Sequence, residues 1–162
     1  MKILVVSDSH DNFVKLKAAI DKGNAAKCEV MLHAGDLIAP TMVKVISEFK
    51  GVVHFVWGNN EGEKVGVTKK ISEHDNVFLE GDTFDGEFDG IRVYMSHYED
   101  KSRPKAQSGK YELCIYGHDH TYNAEVIGET LLLNPGALMG WGEPPTFVIF
   151  DTEDRSVEKI EI

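Results

Sequence analysis

The stretch "KILVVSDSHD" at residues 2–11 decides the fold, because a continuous apolar run passes abruptly into charged and imidazole side chains. Such a run is typical of a strand buried on both faces of an α/β sheet. The next segment, "DNFVKLKAAIDKG" at 11–23, predicts a helix, with Asp11 suited to cap its start and Gly23 to end it. The apolar positions on one face of this helix are Phe13, Leu16 and Ile20.

The same alternation of strand and helix continues along the chain. "EVMLH" (29–33) and "VVHFVW" (52–57) predict the second and third strands. Between them, Pro40 suits the first turn of a helix. The apolar stripe of that helix consists of Met42, Ile46 and Phe49. A βαβαβ order implies a parallel sheet with right-handed crossovers.

After a weaker predicted helix over 62–74, the chain is rich in short strands separated by Gly and Asp turns. The predicted strands are "NVFL", "DTFDGEFDG", "IRVYMSH", "ELCIYGH", "LLLNPG", "TFVIFD" and "SVEKIEI". We predict an α/β fold: a four-layer α-β-β-α sandwich, with two stacked mixed sheets flanked by helices. Because the sequence contains no linker and no internal repeat, residues 1–162 are expected to form a single domain.

Composition limits the kinds of partner that the chain can bind. A formal net charge of -10, with only three arginines, disfavours duplex nucleic acid, whose binding depends on neutralising phosphates with lysine and arginine. The apolar runs are too short for a signal peptide or a membrane span, so we expect a cytoplasmic protein without membrane attachment. Cys28 and Cys114 are expected to be buried small hydrophobes without a chemical role.

Polar side chains with metal-binding chemistry occur at equivalent places, directly after predicted strands. In open α/β sheets, ligands bind outside the carboxyl ends of the strands, so these groups are expected to meet there. Without cations, two carboxylates and four imidazoles in one pocket would shift each other's pKa values strongly. The side chains are Asp8, His10, Asp36, Asn59, His97, His118 and His120.

The chemistry of this set points to two divalent transition-metal ions. Imidazole nitrogens with carboxylate and amide oxygens, and no thiolate, suit Mn, Fe, Co, Ni or Zn better than Ca or Mg. Seven ligands are too many for one tetrahedral ion and suit two ions that share a bridging carboxylate. Such a centre could also hold a phosphate group in an acidic chain.

In their order along the chain, these motifs resemble those of the calcineurin-like metallophosphoesterases. The matching elements are "DSH" (8–10), "GD" (35–36), "GN" (58–59), the lone His97 and "GHDH" (117–120). In addition, "NPGA" (134–137) resembles the "NPGS" element of the small prokaryotic phosphodiesterase branch. The likeness therefore covers nearly the whole chain.

The resemblance implies a dimetal phosphoesterase. One metal would be held by Asp8, His10, Asp36 and His120, and the second by Asp36, Asn59, His97 and His118. Asp36 would bridge the two ions. A small phosphate ester would be hydrolysed by in-line attack of a hydroxide that bridges the metals, with Asp36, Asn59 and His97 as catalytic residues.

The sequence departs from the family pattern at Asn60, where many relatives carry a histidine thought to protonate the leaving group. A neutral amide cannot act as a general acid. We therefore expect Asn60 to contact substrate, and we expect a preference for good leaving groups, as in aryl or ribose-linked diesters, with nucleotides among the candidate substrates. Glu61 or a metal-bound water is the alternative source of the proton.

Further side chains are candidates for contacts with the substrate. Tyr98 is expected either to lie at the mouth of the site, where it could stack on a base, or to be packed. Arg103 and Lys105 are expected either to approach a substrate phosphate or to lie in a solvated loop. "ALMGWGEPP" (137–145), which contains Trp141, suits a pocket rim, a subunit contact in a homo-oligomer or a packed loop, and the sequence does not rank these.

Three histidines lie outside the pattern. His33 and His54, inside predicted strands, are expected to be packed, and His74 is expected to face solvent at a helix end.

Two other functions stay open at this point. One is a non-catalytic scaffold for protein interaction, as in the retromer subunit that resembles this family, and the other is a metal-binding regulatory protein without turnover. Lost ligand positions would favour the scaffold, and none is lost here.

Overall fold

The computed structural model describes residues 1–162 as eleven strands and four helices. The strands are β1 (Lys2–Val6), β2 (Val30–His33), β3 (Val52–Phe55), β4 (Val77–Leu79), β5 (Thr83–Phe88), β6 (Ile91–Ser96), β7 (Leu113–Ile115), β8 (Asn123–Ile127), β9 (Thr130–Asn134), β10 (Thr146–Asp151) and β11 (Val157–Glu161). The helices are α1 (Phe13–Ala25), α2 (Pro40–Ile46), α3 (Lys64–Ile71) and α4 (Glu99–Gln107).

The first sheet has the strand order β11-β10-β1-β2-β3-β4. Strands β1 to β4 pair in parallel, which confirms the predicted βαβαβ start of the chain. In this register Val6 lies opposite His33, and His33 lies opposite Phe55. The carboxyl ends of β1, β2 and β3 therefore meet at one edge of the sheet.

The second sheet has the strand order β5-β6-β7-β9-β8. Its three central strands are parallel, and the outer strands β5 and β8 pair with them in the antiparallel sense. The first sheet likewise ends in the antiparallel strands β10 and β11. Both sheets are therefore mixed, as predicted.

Alternate residues of β1 belong to two different cores, as the period of a strand requires. Ile3 and Val5 pack between the two sheets, together with residues such as Met95 of the second sheet. Leu4 and Val6 pack instead on the side of the first sheet that α1, α2 and α3 cover. A third, smaller core lies between α4 and the second sheet. The four-layer α-β-β-α prediction is confirmed.

The start of α1 differs from the prediction. Asn12, and not Asp11, caps this helix, because the Asn12 side-chain oxygen accepts the Lys15 N–H at 3.2 Å. The predicted apolar face is correct for Leu16 and Ile20, which are buried, and wrong for Phe13, which is 53% exposed. The helix also continues past the predicted stop at Gly23, as far as Ala25.

Two elements were not predicted from the sequence. Helix α4 has only Ser102 and Ala106 buried, so its segment shows no apolar stripe, and Pro104 inside it argues further against a helix. Strand β8 lies at the edge of the second sheet with every second residue exposed, so its sequence resembles a polar loop. In both cases packing against the sheet, and not local propensity, determines the structure.

The two cysteines are buried and unpaired, as expected. Burial raises the pKa of Cys28 to about 11 and that of Cys114 to about 12, so both remain as inert thiols near neutral pH. None of the helices combines the length and the apolar character that crossing a bilayer requires.

Candidate metal centre

The structure brings the seven predicted donors together at one end of the sandwich. Each donor belongs to a loop that follows the carboxyl end of a parallel strand, with β1, β2 and β3 in the first sheet and β6 and β7 in the second. The donors are Asp8 and His10 after β1, Asp36 after β2, Asn59 after β3, His97 after β6, and His118 and His120 after β7.

Asp8, His10 and His120 form one group, in which the potential ligand atoms all lie within 4.8 Å of one another. The Oδ1 atom of Asp8 and the Nε2 atom of His10 are buried without a hydrogen-bond partner. The His120 Nε2 atom is 3.3 Å from that Oδ1 atom, close enough for electrostatic attraction but outside good hydrogen-bond geometry. Buried polar atoms are normally paired, so this group has the unsatisfied lone pairs that a cation would complete.

The charge of Asp8 is maintained in spite of its burial. Burial alone would raise the pKa of this carboxyl, but His120, the nearby His97 imidazole and the hydrogen bonds from Ser7 and from the His118 N–H together lower the pKa below its usual value. In return, the Asp8 carboxylate raises the pKa of His120 against the opposing effect of burial.

Asp36, Asn59, His97 and His118 form the other side of the site. His97 is fully buried, and its Nδ1–H donates to the carbonyl oxygen of Ala34 at 2.8 Å. A carbonyl oxygen can only accept, so this bond fixes the tautomer and leaves the Nε2 lone pair directed into the site. The Nε2 atom lies 2.9 Å from the Asn59 Oδ1 atom and 3.6 Å from the Asp36 Oδ2 atom. Three acceptors thus converge where a shared cation would satisfy them.

Asp36 also lies close to the first group, because its ligand atom is within 4.8 Å of those of Asp8 and His97. Its carboxylate is fully buried, and its Oδ2 atom is 3.6 Å from both the His10 Nε2 and the His97 Nε2 atoms. Asn60 holds this carboxylate in place, because its backbone N–H donates to Oδ1 and its side-chain amide donates to Oδ2, each at 2.8 Å. The predicted contact of Asn60 with substrate stays a prediction.

Backbone strain is concentrated in these loops. Five of the seven donors have positive φ angles, a conformation that residues other than glycine adopt rarely. The angles are 49° for Asp8, 43° for His10, 61° for Asp36, 74° for His118 and 61° for His120. Local propensity disfavours this arrangement, so the surrounding contacts must impose it.

Two glycines allow loop backbone to lie very close to the carboxylates. A side chain at Gly58 would overlap the carboxylate of Asp36, and a side chain at Gly117 would overlap Ser7 and Asp8. The loops after β3 and β7 can approach the carboxylates only because these positions lack a Cβ atom.

Glu61 has a structural role that the sequence did not reveal. Its carboxylate accepts the backbone N–H groups of Asp36 (2.7 Å), Leu37 (3.2 Å), Ile38 (2.9 Å) and Gly58 (3.0 Å). Both carboxylate oxygens are occupied as acceptors of backbone N–H groups, which argues against the alternative in which Glu61 protonates the leaving group. Glu61 instead joins the loop after β2 to the loop after β3.

His33 joins the loop after β1 to the loop after β2. Its Nδ1 atom accepts the Gly35 N–H at 3.2 Å, so its Nε2–H donates to the Ser9 hydroxyl at 3.0 Å. Complete burial lowers the pKa of His33 to about 4, which keeps the ring neutral. The prediction that His33 is packed is confirmed. His54 is also packed, between Glu80 and Phe84, and His74 is half-buried just beyond the end of α3.

The "NPGA" element orders the last ligand loop. Buried Asn134 donates to the carbonyl oxygen of Gly117 at 3.1 Å and to the Asp119 carboxylate at 2.6 Å, while its own oxygen accepts the Gly136 N–H. The motif alone gave no indication of this role, because the contacts reach back 17 and 15 residues along the chain, across β8 and β9.

The basic residues after His97 do not face the site. Arg103 forms hydrogen bonds with Glu125 and Glu99, which raise its pKa, and Lys105 lies over the rings of Tyr94 and Tyr111. In place of the predicted phosphate contact, Arg103 therefore forms two ion pairs at the surface. The segment that was expected to be a solvated loop is helix α4.

Two aromatic side chains flank the donors. Tyr98 is half-buried and makes edge-to-face contacts with His97 and His118, at centroid distances of 5.1 Å and 5.0 Å. Trp141 stacks on His10, with the ring centroids 6.0 Å apart. Tyr98 therefore packs on two of the donors, and its contact with a substrate stays a prediction.

Comparison with known proteins gives one family. The chain matches the model of the calcineurin-like phosphoesterase superfamily domain over residues 1–155. It is 28% identical over 163 residues to phosphodiesterase MJ0936 of Methanocaldococcus jannaschii, with 99% of this chain and 98% of that relative covered.

Solved structures show the same fold. An archaeal phosphodiesterase superposes with a TM-score of 0.93 at 27% identity, with 100% of both chains covered. The phosphoesterase YfcE of E. coli has a TM-score of 0.72 at 18% identity, again with 100% of both chains covered. Vps29 of Entamoeba histolytica has a TM-score of 0.69 at 16% identity, with 100% of this chain and 99% of that chain covered. The last two likenesses concern the fold alone.

Replacing Glu61 by glutamine should weaken the hydrogen bonds that join the loops after β2 and β3. The NH2 group of the glutamine would face backbone N–H donors that now meet a carboxylate oxygen. We expect a loss of about 1.5–3 kcal/mol in the free energy of unfolding, measured by denaturant titration in chelator. Metal affinity, measured by calorimetry, should fall as well.

The matched control is Glu63→Gln, because the Glu63 carboxylate accepts only the exposed Gly66 N–H at the start of α3. Equal losses in the two variants would contradict the loop-joining role of Glu61.

Proposed function

The chain belongs to the calcineurin-like phosphoesterase superfamily, and from that membership we propose that it is a metal-dependent phosphodiesterase. One observation carries the proposal: metal-ligating side chains meet at one end of the sandwich, and the buried Asp8 Oδ1 and His10 Nε2 atoms have no hydrogen-bond partner there. Of the relatives described above, those that are phosphodiesterases align with the whole chain at 27–28% identity.

The residues present fit two divalent ions. We propose that Asp8, His10, Asp36 and His120 hold one ion and that Asp36, Asn59, His97 and His118 hold the other. The orphaned atoms of Asp8 and His10, the fixed tautomer of His97 and the central position of Asp36 support this division. When bound, such ions supply positive charge to a phosphoryl group and a nucleophilic water at neutral pH. The donor set suits Mn, Ni, Fe, Co or Zn.

The contribution of the chain itself is preorganisation. Asn60 orients Asp36, Ala34 orients His97, and Glu61 fixes the two loops that carry Asp36 and Asn59. These groups are held before a substrate binds, so little reorganisation is needed during the reaction. His97 and Asp36 are fully buried, which also keeps bulk water away from the base of the site.

Asn60 limits which esters can react well. Its side-chain amide donates to Asp36, and no imidazole occupies its place to deliver a proton to the leaving group. We propose that the substrates are small phosphate diesters whose leaving groups are stable as anions, including aryl and ribose-linked esters such as those of nucleotides.

We further propose that residues 1–162 act as one cytoplasmic domain that needs neither duplex nucleic acid nor a membrane. Support comes from the net charge of -10 and from a core between the sheets that includes residues near both ends of the chain, such as Ile3 and Phe150. The scaffold alternative is less well supported, since Vps29 shares only the fold at 16% identity and every ligand position is present here.

Removing the metals should abolish hydrolysis of bis(p-nitrophenyl) phosphate, and adding back Mn, Ni or Zn should restore it.

Asp36→Asn should lower kcat at least about 100-fold, because even partners that only orient a ligand are worth about 10–100-fold. Asp11→Asn is the matched control, as Asp11 is exposed in the neighbouring loop. Retained activity in Asp36→Asn would contradict the bridge, and no activity with any metal would favour the scaffold.

The lack of an acid at Asn60 should be visible in the choice of substrate. General acid catalysis is worth about 10²–10⁴-fold, so nitrophenyl diesters should turn over faster than alkyl monoesters by at least the lower value. The measurement compares kcat/KM for both classes under the same metal loading. Equal values would show that another group supplies the proton.

A further inference from the structure

Trp141 is a large apolar side chain that lies exposed beside the candidate metal centre. Its exposed fraction is 76%, whereas large aromatic residues such as Tyr116, Phe55 and Phe147 are fully buried. One side of the Trp141 ring stacks on the His10 imidazole at an interplanar angle of 29°. An exposed aromatic ring at this place offers a flat surface directly next to a proposed metal ligand.

The loop that carries Trp141 is fixed to the site. Its stem is held by hydrogen bonds from the Leu138 and Met139 N–H groups to the carbonyl oxygens of Ser7 and Asp8, at 3.1 Å and 2.9 Å. Asn12 adds a third bond, to the Met139 carbonyl oxygen at 3.1 Å. The position of Trp141 is therefore coupled to the loop that contains Asp8 and His10.

The same loop also lines a cleft of about 140 Å³ that begins at His120, so this cleft adjoins the metal centre. Glu143 and Pro144 of the loop line this cleft, together with Tyr122 and Lys159. The Lys159 ammonium group is 4.8 Å from the centre of the Tyr122 ring. The cleft thus combines ring surface with charged groups of both signs.

We infer that Trp141 and this cleft form a subsite for a planar aromatic substituent of the phosphate ester. Aromatic side chains bind flat rings by stacking, and they do so without regard to the identity of the base. A nucleobase and a simple aryl ring share this chemistry. The inference rests on the proposed function, because the phosphoryl group must be held at the adjoining donors.

Two pairs of competitive inhibitors test the subsite on the metal-loaded protein. Phenyl phosphate and methyl phosphate differ by an aryl ring, and adenosine 5′-monophosphate and ribose 5-phosphate differ by a base. In the wild type, the aromatic member of at least one pair should bind about tenfold more tightly. A gain in both pairs indicates any flat ring, and a gain in the nucleotide pair alone indicates a nucleobase.

Substitution at Trp141 gives the sharper test. Trp141→Ala should bring the affinity ratio of each pair close to one, and Trp141→Phe should preserve part of it. The matched control is Phe78→Ala, because Phe78 is a half-exposed aromatic residue on β4 that packs on His54. This control should keep the ratio of the wild type.

A fluorescence measurement separates this inference from the proposed function. The chain has only two tryptophans, so in a Trp57→Phe background all tryptophan emission comes from Trp141. Aromatic phosphates should quench it and their alkyl partners should not. This readout needs no turnover, so a protein that hydrolyses nothing but shows selective quenching would refute the proposed function and keep the subsite.

Three results would overturn the subsite. The affinity ratio could survive Trp141→Ala, or both members of each pair could weaken equally, as expected if Trp141 only supports His10. Alternatively, the wild type could be a dimer that Trp141→Ala dissociates in analytical ultracentrifugation, which would show that a second copy covers this ring.

Discussion

The rest of the structure depends on the burial of two carboxylates, Asp8 and Asp36, at the carboxyl ends of β1 and β2. Taking an ionised carboxylate out of water costs several kcal/mol unless hydrogen bonds and opposite charges replace the water. Asp8 receives bonds from Ser7 and the His118 N–H, and Asp36 receives two from Asn60. These bonds leave the Oδ1 atom of Asp8 without a hydrogen bond. Divalent cations would supply the missing attraction.

Holding these donors close together constrains the backbone around them. Left-handed conformations at Asp8, Asp36 and His118 are unfavourable for residues with a side chain, so other contacts must enforce them. Glu61 joins the loops after β2 and β3, and His33 joins the loops after β1 and β2. Asn134 holds the loop of His118. The sheet edge and the hydrogen-bonded loops together hold the metal-ligating side chains with the positional accuracy that phosphoryl transfer demands.

The fold and the donors could be predicted because both follow from local patterns. Apolar runs gave β1, β2 and β3, and each donor stands directly after a strand, where parallel strands meet. The roles of Glu61 and Asn134 could not be predicted, because their contacts join loops that are distant in sequence. Helix α4 was missed because it buries too few apolar residues to show a period. Arg103 was misplaced for the same reason, since its partner Glu99 lies one turn away on that unpredicted helix.

The central claim is that Asp36 bridges two divalent ions, and anomalous diffraction from crystals grown with Mn²⁺ tests it most directly. The account predicts two anomalous peaks per chain, about 3.5–4 Å apart, with Asp36 in contact with both. A single peak, or two peaks of which only one contacts Asp36, would contradict it.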